Sequence, residues 1–294
     1  MKAGDETPLR RLFADFAANR LAIFGLGLLG VIAMAAILAP LISSQNPYDL
    51  AQLDVMEGRL PPGSKAPGGS TFWLGTDDQG RDMLSAILYG LRISLSVGVA
   101  STVIALAIGL ALGLAAAYWG KSAEVLIMRI ADLQLSFPAI LIALILLAVW
   151  GQGTLKIIAA LVAVQWAYYA RTVRSAALVE KSKEYIEAAR CLALSSRRIV
   201  FRHLLPNCLP PLIVVATVQV AAAIALEATL SFLGLGLPVT EPSLGLLIAN
   251  GYQYLLSGKY WISFFPGIAL LLTIVSINLV ADQLRDVLNP RLHR

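Results

Sequence analysis

Glu187, Ala188 and Ala189, then Ala193, then His203, Leu205 and Pro206 make up the stretch of this chain richest in groups that could do chemistry, and it is set between two long apolar runs. His203 has no carboxylate or nucleophile spaced to form a triad, and His293 stands near the terminus. Neither supports acid–base, nucleophilic or zinc chemistry, so no catalytic residue and no metal ligand is assigned. Gly120-Lys121-Ser122 has the ending of a phosphate-binding loop, but Ala115 stands where its first glycine is required. Gly25-Leu26-Gly27-Leu28-Leu29-Gly30 spells a dinucleotide fingerprint with no strand before it, which makes it a helix-packing surface. Gly109 and Gly113 read the same way. The chain is expected to hold no nucleotide and no cofactor.

The elements that must position these residues follow from composition. The 294 residues are 58% hydrophobic and only 14% charged, with a mean hydropathy of +0.75. A soluble domain keeps about a quarter of its residues charged, so the class is a polytopic membrane protein. Apolar runs recur at Leu21–Ile42, Ile93–Trp119, Phe137–Trp150, Ile157–Ala177, Leu209–Leu237 and Phe264–Ala281. A span needs roughly 20 apolar residues, and the third run reaches that length only with help from Leu126–Leu135. Continuous runs suit helices, because lipid leaves the backbone only its own bonds. An all-α protein with six transmembrane helices is predicted.

Lys and Arg set the orientation. The segment between Thr172 and Cys208 carries Arg174, Lys181, Lys183, Arg190, Arg197, Arg198 and Arg202. The N-terminal tail carries Lys2, Arg10, Arg11 and Arg20, and the C-terminal tail Arg285, Arg291 and Arg294. An even number of spans puts all three on one side, the cytoplasm by the positive-inside rule. The acid-rich loop from Ser43 to Arg92 then lies outside. Leu21–Ile42 is too long for a signal-peptide core and reads as an uncleaved anchor. Cys191 and Cys208 lack CxxC spacing and read as free thiols on the reducing side. Arg171 and Arg174, ending the fourth span, are expected among lipid headgroups.

Glu227 is the acid deep in an apolar run. An intramembrane carboxylate is costly enough to stand as a functional candidate, here on a translocation path or as a proton relay. The alternative is a carboxyl satisfied by Thr229, Ser231 or a neighbouring helix. A proton-coupled transporter would carry internal repeats or paired broken helices, and the sequence shows no such repeat. Trp73–Asp82, with turns at Gly75 and Gly80, reads as an external scaffold, although its acids could also meet a cation.

Glu184 to Leu192 is rich in helix formers. Ala188 and Ala189 give it a surface without bulk, and Ile186, Ala189, Arg190 and Ala193 recur at helical spacing as one narrow face. A short helix held between two spans can fit a groove on a partner and pass on rigid-body motion. The plainer alternative is a basic loop beside anionic headgroups.

Glu187, Ala188, Ala189, His203, Leu205 and Pro206 resemble, in order and spacing, the ATPase-docking loop of importer membrane subunits of the ATP-binding-cassette class. Ala193 departs from that pattern, which usually has Gly there. The stretches Phe72–Asp82, Leu88–Leu95, Glu227–Gly236, Phe265–Gly267, Asn278-Leu279 and Leu284–Arg291 resemble the dipeptide, oligopeptide and nickel permeases. Asn19–Ala22 through Ala39–Ile42 resemble the N-terminal module of their C-type subunit. The resemblance implies a type I ABC importer-like permease, not itself an enzyme, in the bacterial inner membrane with both termini cytoplasmic. It implies a second homologous permease as heterodimer partner, two cytoplasmic ABC ATPase subunits, an extracytoplasmic substrate-binding protein, membrane lipid, and no nucleic acid. Residues 1–70 would form the tail, first helix and start of the external loop. Residues 71–285 would form the core permease domain with the coupling loop 178–208, and 286–294 the cytoplasmic tail. Tyr185, Ile186, Glu187, Ala188, Ala189, Arg190, Ala193, His203, Leu205 and Pro206 would couple to the ATPase. Peptides or nickel chelates would pass between the two permeases along the second to fifth spans.

Overall fold

Asn19 starts the first membrane helix. The computed structural model describes residues 8–288 except 50, 52, 67, 68 and 70, so Lys2, Arg291, Arg294, His293 and the Asn289–Arg291 end of the C-terminal motif lie outside the described residues. Helix α1 (Pro8–Ala17) ends just before Asn19, whose Oδ1 accepts from the amides of Leu21 at 2.9 Å and Ala22 at 3.4 Å. That side-chain cap satisfies two of the orphan N–H groups of α2 (Arg20–Ile42). The Asn19 amide also donates to Gln283 near the chain's other end, 2.7 Å away, which pins the first helix to the last.

The segment between α2 and the next long helix carries a small antiparallel pair, β1 (Ser64–Lys65) and β2 (Thr71–Phe72), with Ser64 opposite Phe72. It ends at Asp82, whose carboxylate accepts from the Ser85 amide at 3.0 Å and so opens α3 (Met83–Trp119). The expected outer loop running to Arg92 is therefore too long. Met83 to Arg92 is already helix, because an N-cap aspartate stands ahead of a proline-free run whose one glycine, Gly90, packs against Leu244 inside the helix.

The third expected span is broken. Helices α4 (Lys121–Leu135) and α5 (Ala139–Trp150) meet at 91°. Pro138 has no amide to donate and pushes Phe137 out of helical geometry, so the two runs cannot join. Gly120 and Lys121, at φ 61° and 47°, make the hinge between α3 and α4, so the phosphate-loop lookalike is a turn. Then follow α6 (Thr154–Lys181), α7 (Glu184–Cys191), α8 (Ser196–Ile199), a π-helical turn at Val200–Leu204 and α9 (Leu205–Phe232). Helices α10 (Leu244–Tyr252) and α11 (Trp261–Val287) complete the described chain.

Among the described residues four helices are long and apolar enough to cross a membrane, and five if the bent pair counts as one span. Helix α6 has the length but carries Gln165, Trp166, Tyr168, Tyr169, Arg171 and Arg174, which dilute its hydropathy. It is nonetheless central, lying along α3 and α9. A methyl placed on Gly109 would sit 2.4 Å from Tyr169 Cβ, and one on Gly113 2.6 Å from the Ala170 carbonyl. Those two glycines let the backbones of α3 and α6 touch, as expected of a small-residue pair. The first glycine cluster behaves differently. Gly25 meets Leu279 of α11, whereas a methyl on Gly27 or Gly30 would meet nothing within 4 Å.

The buried side chains form separate clusters. Met83, Leu244, Leu247, Trp261 and Ile262 make one, and Val97, Leu147, Leu161 and Leu230 belong to a second. Tyr169, Val173, Cys208 and Leu212 belong to a third. A last cluster of Ile186, Ala189, Ile199 and Leu204 sits under α7.

Candidate functional site

Helix α7 follows the end of α6, and its two faces differ. Ile186 and Ala189 are buried against Ile199 and Leu204, with Leu194, Val200 and Tyr118 around them. Glu184, Glu187, Ala188 and Cys191 are exposed on the opposite side, at the spacing of one helical face. The expected face of Ile186, Ala189, Arg190 and Ala193 is thus split. Its two apolar members are spent on holding α7 to this chain, while Arg190 and Ala193 face outward. The surface open to another protein is small at Ala188 and Cys191, with acid on its N-terminal flank at Glu184 and Glu187.

The end of α7 is closed by a turn that normally requires glycine. Ala193 has φ 56°, in the left-handed region. Its amide donates to the Arg190 carbonyl at 2.9 Å, and the next amide, of Leu194, donates to Ala189 at 3.1 Å. Those two bonds are the Schellman pattern, and Leu194 packs back on the Ile186–Ala189 cluster as the pattern demands. The alanine therefore makes the glycine turn and bears its strain.

Behind α7 a polar brace ties it to three other helices. Lys181, at the end of α6, donates from Nζ to the carbonyls of Ala117 at 2.8 Å and Tyr118 at 3.2 Å, the orphan acceptors that end α3. The Tyr185 hydroxyl donates to Glu180 at 2.7 Å, and Lys183 donates to the other oxygen of the same carboxylate at 2.6 Å. Asn207 reaches from α9 to Tyr185 Oη at 3.2 Å and to the His203 carbonyl at 2.7 Å. Burial and the adjacent Glu180 carboxylate push the Tyr185 phenol up to about 12. The His203 ring lies 6.5 Å from that of Tyr185. Leu205 is half-buried and Pro206 exposed at the start of α9, where a missing amide costs nothing.

Arg171 and Arg174 meet acids of this chain. Arg174 pairs with Glu124 and Arg171 with Asp132, both acids on α4, so the two cations clamp α4 along α6. Glu227 is fully buried. Ser94 of α3 donates to one of its oxygens at 2.9 Å and Ser231 to the other at 2.8 Å. Thr229, an expected partner, bonds instead to the Ala225 carbonyl.

The Trp73–Asp82 motif is a clasp with buried members. Asp77 accepts from Arg81 Nε at 2.6 Å and from the amides of Gln79 and Arg81, both at 2.9 Å. Arg81, 1% exposed, also donates to the Val239 carbonyl at 3.1 Å. Thr76 binds the Glu57 carbonyl and the Leu60 amide, and Trp261 donates to the Thr76 carbonyl. Asp82 gathers Ser44, Ser85 and the Gln45 side chain. Asp77 and Asp82 are thereby consumed by the fold, and no group of three metal-ligating side chains occurs among the described residues. Asp78 is half-buried with one oxygen unpaired. Burial, and then the neighbouring Asp77, push its carboxyl above the usual range.

Lys181, Glu180 and Asn207 were not singled out by sequence reading. The faint signal was a lysine in the last turn of a helix, where cations complete the dipole, but its target lies 64 residues away.

Comparison with known proteins extends this picture over the whole chain. Residues 105–294 match the family described as "Binding-protein-dependent transport system inner membrane component". Residues 7–62 match the "N-terminal TM domain of oligopeptide transport permease C". The Escherichia coli K12 dipeptide transport system permease protein DppC is 38% identical over 97% of this chain and 94% of its own length. The di/tripeptide transport system permease protein DppC of Pseudomonas aeruginosa is 37% identical, over 97% and 93%. Among solved structures, one of the MetNI methionine ABC transporter in inward-facing conformations superposes with a TM-score of 0.57. It is 22% identical, covers 70% of this chain and 98% of that one, and bears on the fold alone.

Proposed function

The chain belongs to the family of inner membrane components of binding-protein-dependent transport systems, and from that footing we propose that it is the C-type permease of an ATP-driven peptide importer. The named di- and tripeptide relatives favour peptides over the nickel chelates that similar motifs also serve. It does no covalent chemistry itself. Two cytoplasmic ATPases supply the energy, a substrate-binding protein delivers the peptide from outside, and a second, related permease completes the path. Both termini and α7 lie on the cytoplasmic side. Residues 1–70 form the tail, first helix and start of the external loop, 71–285 the permease core, and 286–294 the cytoplasmic tail.

The single observation that carries this reading is the posture of α7. Its apolar face is fixed to its own chain, and its acid-flanked alanine face is left free. Such a helix transmits displacement without deforming. When the ATPases close on ATP, a groove holding Glu187 and Ala188 carries α7 with it. The Lys181 and Tyr185 contacts pass the motion to α3, α6 and α9, and the path turns from inward- to outward-facing. Hydrolysis reverses the movement. Tyr185, Arg190, Ala193, His203, Leu205 and Pro206 serve as the frame of this coupling, and Glu187 and Ala188 as its contact.

The test reconstitutes the chain with its ATPases, sister permease and binding protein and compares wild type with Glu187→Arg. Loss of ATPase association and of ATP-driven peptide uptake is expected, with the permease still inserted. Unchanged uptake removes the docking role of Glu187, and uptake that needs no ATPase overturns the importer reading.

A further inference from the structure

The inner end of α3 borders an unfilled trough of about 730 Å³, walled by Ala107, Ala111 and Ala115 on one side and by Phe201 and Leu205 on the other. From Ala107 to Trp119 it follows α3 for about 18 Å at 1.5 Å per residue. Its walls are apolar except at one end. There Arg197 enters the lining, and a second hollow of about 410 Å³, lined by Ser195, Arg197, Arg198 and Phe201, adjoins it. Neither Arg197 nor Arg198 has an acid within ion-pair distance among the described residues. Trp119, 72% exposed, and Phe201, 60% exposed, flank the mouth.

We infer that this trough is a binding site for one anionic phospholipid of the cytoplasmic leaflet. The phosphate sits on Arg197 and Arg198 with the Ser195 hydroxyl beside it, and an acyl chain lies along Ala107–Ala115. Charge complementarity and depth select this occupant. The apolar portion runs along a helix long and apolar enough to span the membrane, so a soluble ATPase cannot fill it. A helix of the sister permease could fill the groove but would leave two arginines at its mouth unmatched. Exposed tryptophan at the end of a span is the usual mark of the headgroup level, and paired arginines there attract anionic lipid. The site rests on the orientation proposed above. Val200 lines the trough and also packs on the cluster under α7, so the lipid would touch the mount of the coupling helix.

The test uses the full chain purified with its partner subunits, delipidated and exposed to mixed phosphatidylglycerol and phosphatidylcholine, with retained lipid counted by native mass spectrometry. One tightly held phosphatidylglycerol is expected in wild type. The double variant Arg197→Gln, Arg198→Gln should lower its preference over phosphatidylcholine about tenfold. Ala111→Phe, which keeps both arginines and fills the trough from an exposed position, should expel the lipid altogether. Equal retention in wild type and both variants overturns the site. Loss of the ATPase in the arginine variant with lipid retention unchanged also overturns it and assigns those arginines to the ATPase. Lipid binding is read without transport, so failure of the importer reading would appear separately, as uptake that needs no ATPase.

Discussion

Ser94 and Glu227, 133 residues apart in the chain, meet inside the bundle with the hydroxyl 2.9 Å from the carboxylate. With Ser231 on the other oxygen, the acid joins α3 to α9 and is closed off from any open path. The arrangement favours a structural clamp over a proton relay. Glu227→Gln, which can still accept from one serine and donate to the other, should retain folding and most uptake. Glu227→Ala strands two hydroxyls and leaves a cavity, and should destabilise by about 2–4 kcal/mol. Thermal unfolding in detergent together with uptake decides the matter, since a well-folded Gln variant without transport would restore the relay.

Ala193 holds a left-handed turn that glycine adopts freely. Ala193→Gly should stabilise the α7 region by about 1 kcal/mol, while Ala193→Val should weaken it. Hydrogen exchange at the Leu194 amide reports this directly, and faster exchange in the glycine variant would contradict the assigned turn.

Gly109 and Gly30 make a matched pair of tests. A methyl at Gly109 collides with Tyr169 and the Trp166 carbonyl, at 2.4 and 2.6 Å. Gly109→Ala should therefore cost roughly 1–3 kcal/mol. Gly30→Ala meets nothing within 4 Å and should be neutral or mildly stabilising. Similar melting temperatures for the two variants would show that the α3–α6 contact is looser than described.

Asp78 gives the Trp73–Asp82 clasp a pH dependence. Its carboxyl titrates higher folded than unfolded, so the fold prefers the protonated form. That contribution is complete below the ordinary aspartate value of about 3.9 and fades as pH rises through the folded value. Mild acidification should thus raise the stability of the segment between α2 and α3. Asp78→Asn should be the more stable at pH 7 and should flatten this trend. Limited proteolysis of the outer loop across pH provides the measurement, and a variant with the wild-type profile would count against it.

Much of this was legible in the sequence because lipid permits few alternatives. The apolar runs in α2, α3, α9 and α11 became helices, and Gly109 and Gly113 were recognisable as a contact. The break at Phe137-Pro138 was written in the proline but masked by apolar residues on both sides. Partners of Arg171 and Arg174 were invisible, because Asp132 and Glu124 lie 39 and 50 residues away and come close only when α4 folds along α6. In α7, spacing identified an amphipathic helix correctly and assigned its faces wrongly. Periodicity shows that two faces differ, and only the packed chain shows which one it keeps for itself.

The backbone contact of α3 with α6 through Gly109 and Gly113 has a mechanical side. Ridges of side chains can slide past one another by changing rotamers, but two backbones in contact have no such slack. The pair is therefore expected to move as a single plank, and α7 is joined to the end of α6 through Ser182 and Lys183. A push there cannot be lost as slip between the helices. It arrives at the far end as tilt, with an arm as long as the 37-residue α3, about 55 Å.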